Sequence, residues 1–298
     1  MNDRKLTATI NRLTLDPGYG AYLAAANALD AASPETSSLP TLRVAVLRNF
    51  TIDPLLPVLK GEIARAGFYP QVYLGDYDAV GRDVLDGDSA LYQFHPDFII
   101  LAQWLEPLAP ALTARFLSLA PQEVNDEIER IVASIGEIVA AVRRFSNAPI
   151  LLNNFPLPTY TTLGILDSQA EQNHIHTILR LNLELLRHAR QWPDVYLVDY
   201  LALLARIGSG RGLDQRHWHM SRAPLGGHAL VPFGQEYGKF IRALRGKTRK
   251  CLVLDCDNTL WGGIIGEDGW RASKSARRTP GPATRRFSAR FSTCASVE

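Results

Sequence analysis

The chain has 298 residues, 46% of them hydrophobic, which is enough to bury a core in one or two domains. No run of about 18 apolar residues exists, and Met1-Asn2-Asp3-Arg4-Lys5 does not begin a signal peptide, so neither a membrane span nor secretion is expected. Cys251, Cys256 and Cys294 show neither metal-site spacing nor a disulfide framework, which points to a reducing cytoplasm. The formal charge of +2 belongs to residues 271–298; without them 25 of 32 basic and 29 of 30 acidic residues remain, a net −4, and nucleic acid is not an expected partner.

In chain order, residues 1–40 read as a helical segment, best over Tyr22 to Ala32, with a Ser/Pro-rich linker from Ser33 to Pro40. Leu42 to Leu47 is short, apolar and β-branched, the mark of a buried strand, and Asp53 to Ala66 is helical. Strands follow at Gln71 to Leu74 and Asp97 to Ala102. Gln122 to Phe145 carries Val124, Ile128, Ile131, Ile135, Ile138 and Val142 at helical spacing. Pro149 to Leu152 is a strand, His174 to Gln191 a helix, Val195 to Val198 a strand, and Phe233 to Leu244 a closing helix. Strands alternating with long helices give an α/β domain over 41–246, a parallel sheet with helices on both faces. Ligands of such a sheet bind at the C-terminal strand ends.

The loops at those ends carry Asn49, Gln103 and Asn153, whose amides can hydrogen-bond a ligand, and aromatic Trp104, Phe155 and Trp218, which either line a pocket or pack in the core. Asp214 and His217 are three residues apart, a spacing at which a carboxylate can hold an imidazole as in the orienter–base half of a hydrolytic triad; a structural or ligand-binding role for the pair stays open. His174 and His176, two apart on a helix, face different sides and make a poor metal pair.

Near the end, Leu252-Val253-Leu254 leads into Asp255-Cys256-Asp257-Asn258-Thr259. Two carboxylates one residue apart at a strand end suit phosphoryl or acyl transfer, with Asp255 as nucleophile and Asp257 as the group that moves a proton. Their joined charge next to a phosphate calls for a cation held by Asp255 and Asp257, most simply Mg2+. Only 41 residues follow Asp257. Residues 271–298 contain no Leu or Ile and no period, and are expected to be disordered. They read either as a basic tail or as the product of a reading-frame shift just after Trp270.

Two resemblances add to this. The strand order and the Asp214/His217 pair before Gly227-His228 resemble an SGNH-hydrolase domain, a flavodoxin-like three-layer sandwich. Where that family ends its first strand in Gly-Asp-Ser, this chain has Leu47-Arg48-Asn49, and an amide is no nucleophile. Joined to Leu254-Asp255-Cys256-Asp257-Asn258-Thr259-Leu260-Trp261-Gly262-Gly263, and with Arg48-Asn49-Phe50-Thr51 and Asp88-Ser89-Ala90-Leu91-Tyr92, the whole resembles the FkbH-like proteins of the haloacid dehalogenase (HAD) superfamily over roughly residues 40–270.

The resemblance implies that residues 247–270 open a HAD-type Rossmannoid domain with its first strand. It implies a phosphatase or glyceryl transferase that takes an activated phosphoglycerate and loads an acyl carrier protein in polyketide-type biosynthesis. Cys256 would be a candidate acyl carrier; the plain alternative is a small, half-buried strand-end residue. The Ser/Thr, Lys and later acidic residues of a HAD site have no counterpart in residues 271–298, so the chain is expected to be a truncated, inactive phosphatase that does not hold Mg2+ stably. The alternative function is an SGNH-like module, non-catalytic or weakly hydrolytic, that binds a carrier protein or substrate.

Overall fold

The computed structural model describes residues 17–32 and 37–247, isolated residues before them (8, 10–13, 15) and residue 34, and the backbone of two fragments, Trp261–Gly262 and Lys274–Ser275. The chain divides into two compact units, Met1–Gly246 and Lys247–Glu298. In the second, Trp261–Gly262 pairs antiparallel with Lys274–Ser275. Asp255, Cys256, Asp257 and the Leu252 to Leu254 strand lie outside the described residues, as does most of the 271–298 tail.

The first unit is built on five parallel strands, β1 (Thr41–Arg48), β2 (Tyr69–Tyr77), β3 (Phe98–Ala102), β4 (Ile150–Asn153) and β5 (Val195–Val198), in the order β2-β1-β3-β4-β5. The order reverses between β1 and β3, where the connections run to opposite sides and leave a crevice at the C-terminal ends. β1, β3 and β4 are near-continuous apolar runs because both of their faces are covered.

Alternate residues feed two cores. Ala45, Leu47, Ile99, Leu101, Ile150 and Leu152 face one layer of helices, α3 (Val80–Leu85), α4 (Pro121–Phe145) and α5 (His174–Ala189). Val44, Val46, Phe98, Ile100 and Leu151 face the other, α2 (Leu56–Arg65), α6 (Tyr200–Ile207) and α8 (Gly227–Leu244). The α/β three-layer sandwich expected of the sequence is thus what forms. An N-terminal helix, α1 (Tyr19–Asp30), lies on α2, with Tyr22 and Ala25 against Val58. A fully buried carboxylate ties this corner together: Glu62 accepts from Tyr22 Oη at 2.5 Å, Arg65 at 2.5 Å and Arg242 of α8 at 2.7 Å.

Two local departures have physical causes. The closing helix starts at Gly227, not Phe233, although Pro232 sits inside it. Pro232 lies past the first turn, where the lost backbone bond and ring clash cost about 3 kcal/mol, and the burial of Ala229 and Leu230 holds the preceding turn on the core despite it. The short α3, α6 and α7 (Gln215–Ser221) are too brief to show a helical period. No helix among the described residues is long and apolar enough to cross a membrane.

Candidate functional site

At the C-terminal strand ends the first feature is a set of asparagines used as peptide mimics. An Asn side chain carries one acceptor and one donor group in the arrangement of a backbone amide, so it can pair with a strand end as another strand would. Asn49, after β1, accepts from Trp104 N at 2.6 Å and donates to Trp104 O at 3.0 Å. Asn153, closing β4, accepts from Gln103 N at 2.9 Å and donates to Gln103 O at 2.7 Å. Asn182 of α5 does the same to Phe155, accepting from its N at 2.9 Å and donating to its O at 2.7 Å. Asn154 bridges onward, donating to Asp199 at 2.8 Å and accepting from Leu201 N at 3.1 Å.

The three predicted ligand-binding amides are therefore brought together at the crevice, but buried. Asn49 and Gln103 are 1% exposed and Asn153 is fully covered. Gln103 turns its own amide back to Ala102 O at 3.2 Å. Their placement fixes how the loops leave β1, β3 and β4.

The Asp214/His217 pair forms. Asp214 precedes α7 and its carboxylate accepts from the His217 backbone N at 2.9 Å, the usual helix-capping bond. Its second oxygen lies 3.1 Å from His217 Nδ1. The His217 side chain is 61% exposed and Asp214 34%, so the pair sits in a wet, surface setting. At the end of β1, where a nucleophile would complete a triad, the structure has Asn49. Nearby Thr51 donates its hydroxyl to Ser221 O at 2.6 Å.

Beside this pair opens a cleft of about 910 Å3 between the loops after β3 and β4 and the segment around α7. Asp214, Trp218, His219 and Arg222 line it from one side; His217 is not among its lining residues. Trp104 and Trp218 line it as well, with ring centroids 6.3 Å apart, whereas Phe155 is wholly buried in the core. Trp104 and Trp218 thus take both roles left open for these aromatics, buried in the core with an edge on the cleft, while Phe155 takes the core role alone. Arg222, in the left-handed region at φ 55°, closes α7 and stacks over Trp218 at 5.1 Å.

Three residues that sequence reasoning did not single out for this site add to the cleft. Glu106, on the turn after β3, has its carboxyl pKa raised by burial, an effect that its backbone and the neighbouring Trp104 partly oppose. Thr159 comes from the loop after β4. His174, considered only as half of a metal pair, is 4% exposed and stacks on Phe116 at 4.8 Å. Burial lowers its pKa, while the Asp167 carboxylate and the Leu112 backbone push the other way. Its neighbour His176 instead meets the Asn173 amide at 2.9 Å. Among the described residues no cluster of three or more His, Cys, Asp or Glu could hold a metal ion.

Known proteins place this architecture. Residues 43–236 match the model of the FkbH N-terminal domain. Among solved structures, the N-terminal part of a Bacteroides fragilis protein, containing a phosphatase domain and complexed with Mg, superposes with a TM-score of 0.71 at 23% identity, covering 93% of this chain and 70% of that one. A GDSL-like lipase from Bacteroides thetaiotaomicron is similar at a TM-score of 0.37 and 10% identity, over 77% of this chain and 98% of its own. An acetyl-xylooligosaccharide esterase from Geobacillus reaches 0.43 and 8%, over 67% and 94%. These last two are too distant to carry an argument. No curated protein matches the chain. The match over 43–236 decides the matter: the chain belongs to the FkbH family, whose N-terminal domain is the five-stranded unit described above.

Proposed function

We propose that the five-stranded unit is a binding module rather than a hydrolase, working within an FkbH-family protein that loads a glyceryl unit from an activated phosphoglycerate onto an acyl carrier protein in polyketide-type biosynthesis. The observation that carries the module reading is Asn49. Covalent acyl transfer by a triad requires a hydroxyl or thiol at the end of the first strand within reach of the imidazole. This chain puts there an amide whose oxygen and nitrogen both face the Trp104 backbone. An Asp–His pair with no nucleophile can orient or hydrogen-bond a ligand but cannot form an acyl-enzyme.

The phosphoryl chemistry of the family reading belongs to Asp255 as nucleophile and Asp257 as acid–base, with Cys256 as a candidate acyl acceptor. Two carboxylates are hard oxygen donors of the kind Mg2+ prefers, and the bound ion would offset charge on a transferring phosphate. The Mg carried by the Bacteroides fragilis relative supports this assignment for the family.

The test is titration of the full chain with a phosphopantetheinylated carrier protein alongside an ester-hydrolysis assay. Saturable binding with no ester turnover is expected. One observation favours a second reading, weak hydrolysis: the 3.1 Å approach of Asp214 to His217 Nδ1. Ester turnover that disappears in His217→Ala would establish that reading and sink the first.

A further inference from the structure

Buried polar atoms in folded proteins nearly always have hydrogen-bond partners, and the exceptions call for an explanation. Among the described residues four buried side-chain atoms have none: Asp83 Oδ2, Trp104 Nε1, Thr159 Oγ1 and His174 Nδ1. Three of these four belong to residues lining the one cleft beside α7. Trp104 and His174 are each 4% exposed, so both reach it from within the core.

The Trp104 indole lies close enough to Glu106 to affect its carboxyl, and the Leu112 backbone close enough to His174 to affect its imidazole, but neither Trp104 Nε1 nor His174 Nδ1 has a well-aligned hydrogen-bond partner. Polar groups left desolvated without partners destabilise the fold unless a ligand or water satisfies them. The cleft wall between them is apolar, with Leu105, Pro110, Pro156, Leu157 and Ile178.

We propose that this cleft is a binding site for an elongated neutral ligand bearing a carbonyl group, of the acyl-amide or acyl-thioester class, held by Trp104 Nε1–H, Thr159 Oγ1 and His174 Nδ1. The indole N–H is a donor only and requires an acceptor on the ligand. The hydroxyl and the imidazole can serve either as donor or acceptor, which suits an amide or ester group. A phosphate or carboxylate does not suit the floor: among the described residues no buried lysine or arginine lines the cleft, and the Glu106 carboxyl stands next to Trp104. Arg222 and His219, the basic side chains of the cleft, are exposed. The apolar walls match the methylene chain of such a ligand.

This inference rests on the binding-module reading and names what the module holds. The chain has five tryptophans, and the indole signal of Trp104 in a 15N-labelled sample is the one lost in Trp104→Phe. Pantetheine, the S-hexanoyl thioester of N-acetylcysteamine, and 3-phosphoglycerate serve as probes. The two neutral amides are expected to shift the Trp104 indole resonance downfield and saturably. Thr159→Val, an isosteric change on a loop, is expected to weaken their binding at least fivefold. A response to 3-phosphoglycerate alone overturns the neutral-ligand assignment. No response to any probe means that water serves the three atoms, and it also overturns the proposal. Carrier-protein binding that persists while the probes fail leaves the module reading standing and removes only this site. Probe binding without carrier binding does the reverse.

Discussion

At the scale of single residues, the strand ends are organised by side chains that imitate backbone. Asn49, Asn153 and Asn182 each satisfy both polar groups of one residue that is 27 to 55 positions away in sequence. Removing such a side chain strands a buried N–H and a buried C=O together, and each costs about 1–3 kcal/mol. Asn49→Ala and Asn153→Ala are therefore expected to lower unfolding stability by about 2–4 kcal/mol each, measured by urea titration. Asn153→Asp should be as damaging despite its near-identical shape, because the carboxylate cannot donate to Gln103 O. A loss below the error of the titration in both Asn153 variants would show that the clamp is dispensable. The residue types at these positions were legible in the sequence, and so was their placement at strand ends. Their partners were not, because backbone groups some 50 residues away leave no mark on local pattern. Asn182 carried a signal of its own: it sits on the buried stripe of α5 with Ile178, Leu181 and Leu185, where an amide needs a partner.

At the scale of elements, α8 and α2 meet through glycine. A Cβ added at Gly234 would overlap Val58, and one at Gly238 would lie 2.6 Å from Glu62 Oε2. Close helix approach of this kind cannot absorb a methyl group without moving one helix. Gly234→Ala is expected to destabilise the first unit by about 1–3 kcal/mol, although alanine is the better helix former. Thermal unfolding would read it as a Tm drop of several degrees, and an unchanged or raised Tm would mean that Val58 simply rotates away. The long elements could be read from sequence because their period is written over many residues: α4 runs 25 residues and its apolar spacing fixed both its existence and its inward face. The strands were clear for the opposite reason, a short apolar run bounded by turns. What escaped was whatever local pattern could not reveal. Local pattern starts the closing helix at Phe233, but packing of Ala229 and Leu230 starts it at Gly227, and α3, α6 and α7 span only 6 to 8 residues. The cleft escaped likewise, since Glu106, Thr159 and His174 come from three separate segments that only the sheet brings to one place.

At the scale of the whole unit, stability depends on phenols that stay protonated. Tyr200 and Tyr237 are buried in the core beneath α8, with their hydroxyls 2.6 Å apart. Burial raises both pKa values, Tyr237 further because it faces the Tyr200 hydroxyl, while Tyr200 gains a small opposing contribution from the same bond. In the other core Tyr92 is pushed up to about 12, mainly by burial, and Tyr22 beside Glu62 is raised as well. An acid whose folded pKa lies above its unfolded value of 10.0 favours the native state fully below pH 10. Above that pH the unfolded chain loses the proton first, and stability falls until the folded pKa is reached. For the two fully buried phenols the slope is about 1.4 kcal/mol per pH unit each. Both cores should therefore weaken together between pH 10 and 12, as a single loss of the five-stranded unit. The double variant Tyr200→Phe/Tyr237→Phe removes both hydroxyls at once and leaves no orphaned partner. Its urea midpoint is expected to be close to that of the native chain at pH 8 and to fall much less by pH 11.5. Lysine deprotonation affects both proteins equally, so the difference between the two slopes isolates the tyrosine pair. Equal slopes would mean that these phenols ionise without unfolding the core around them.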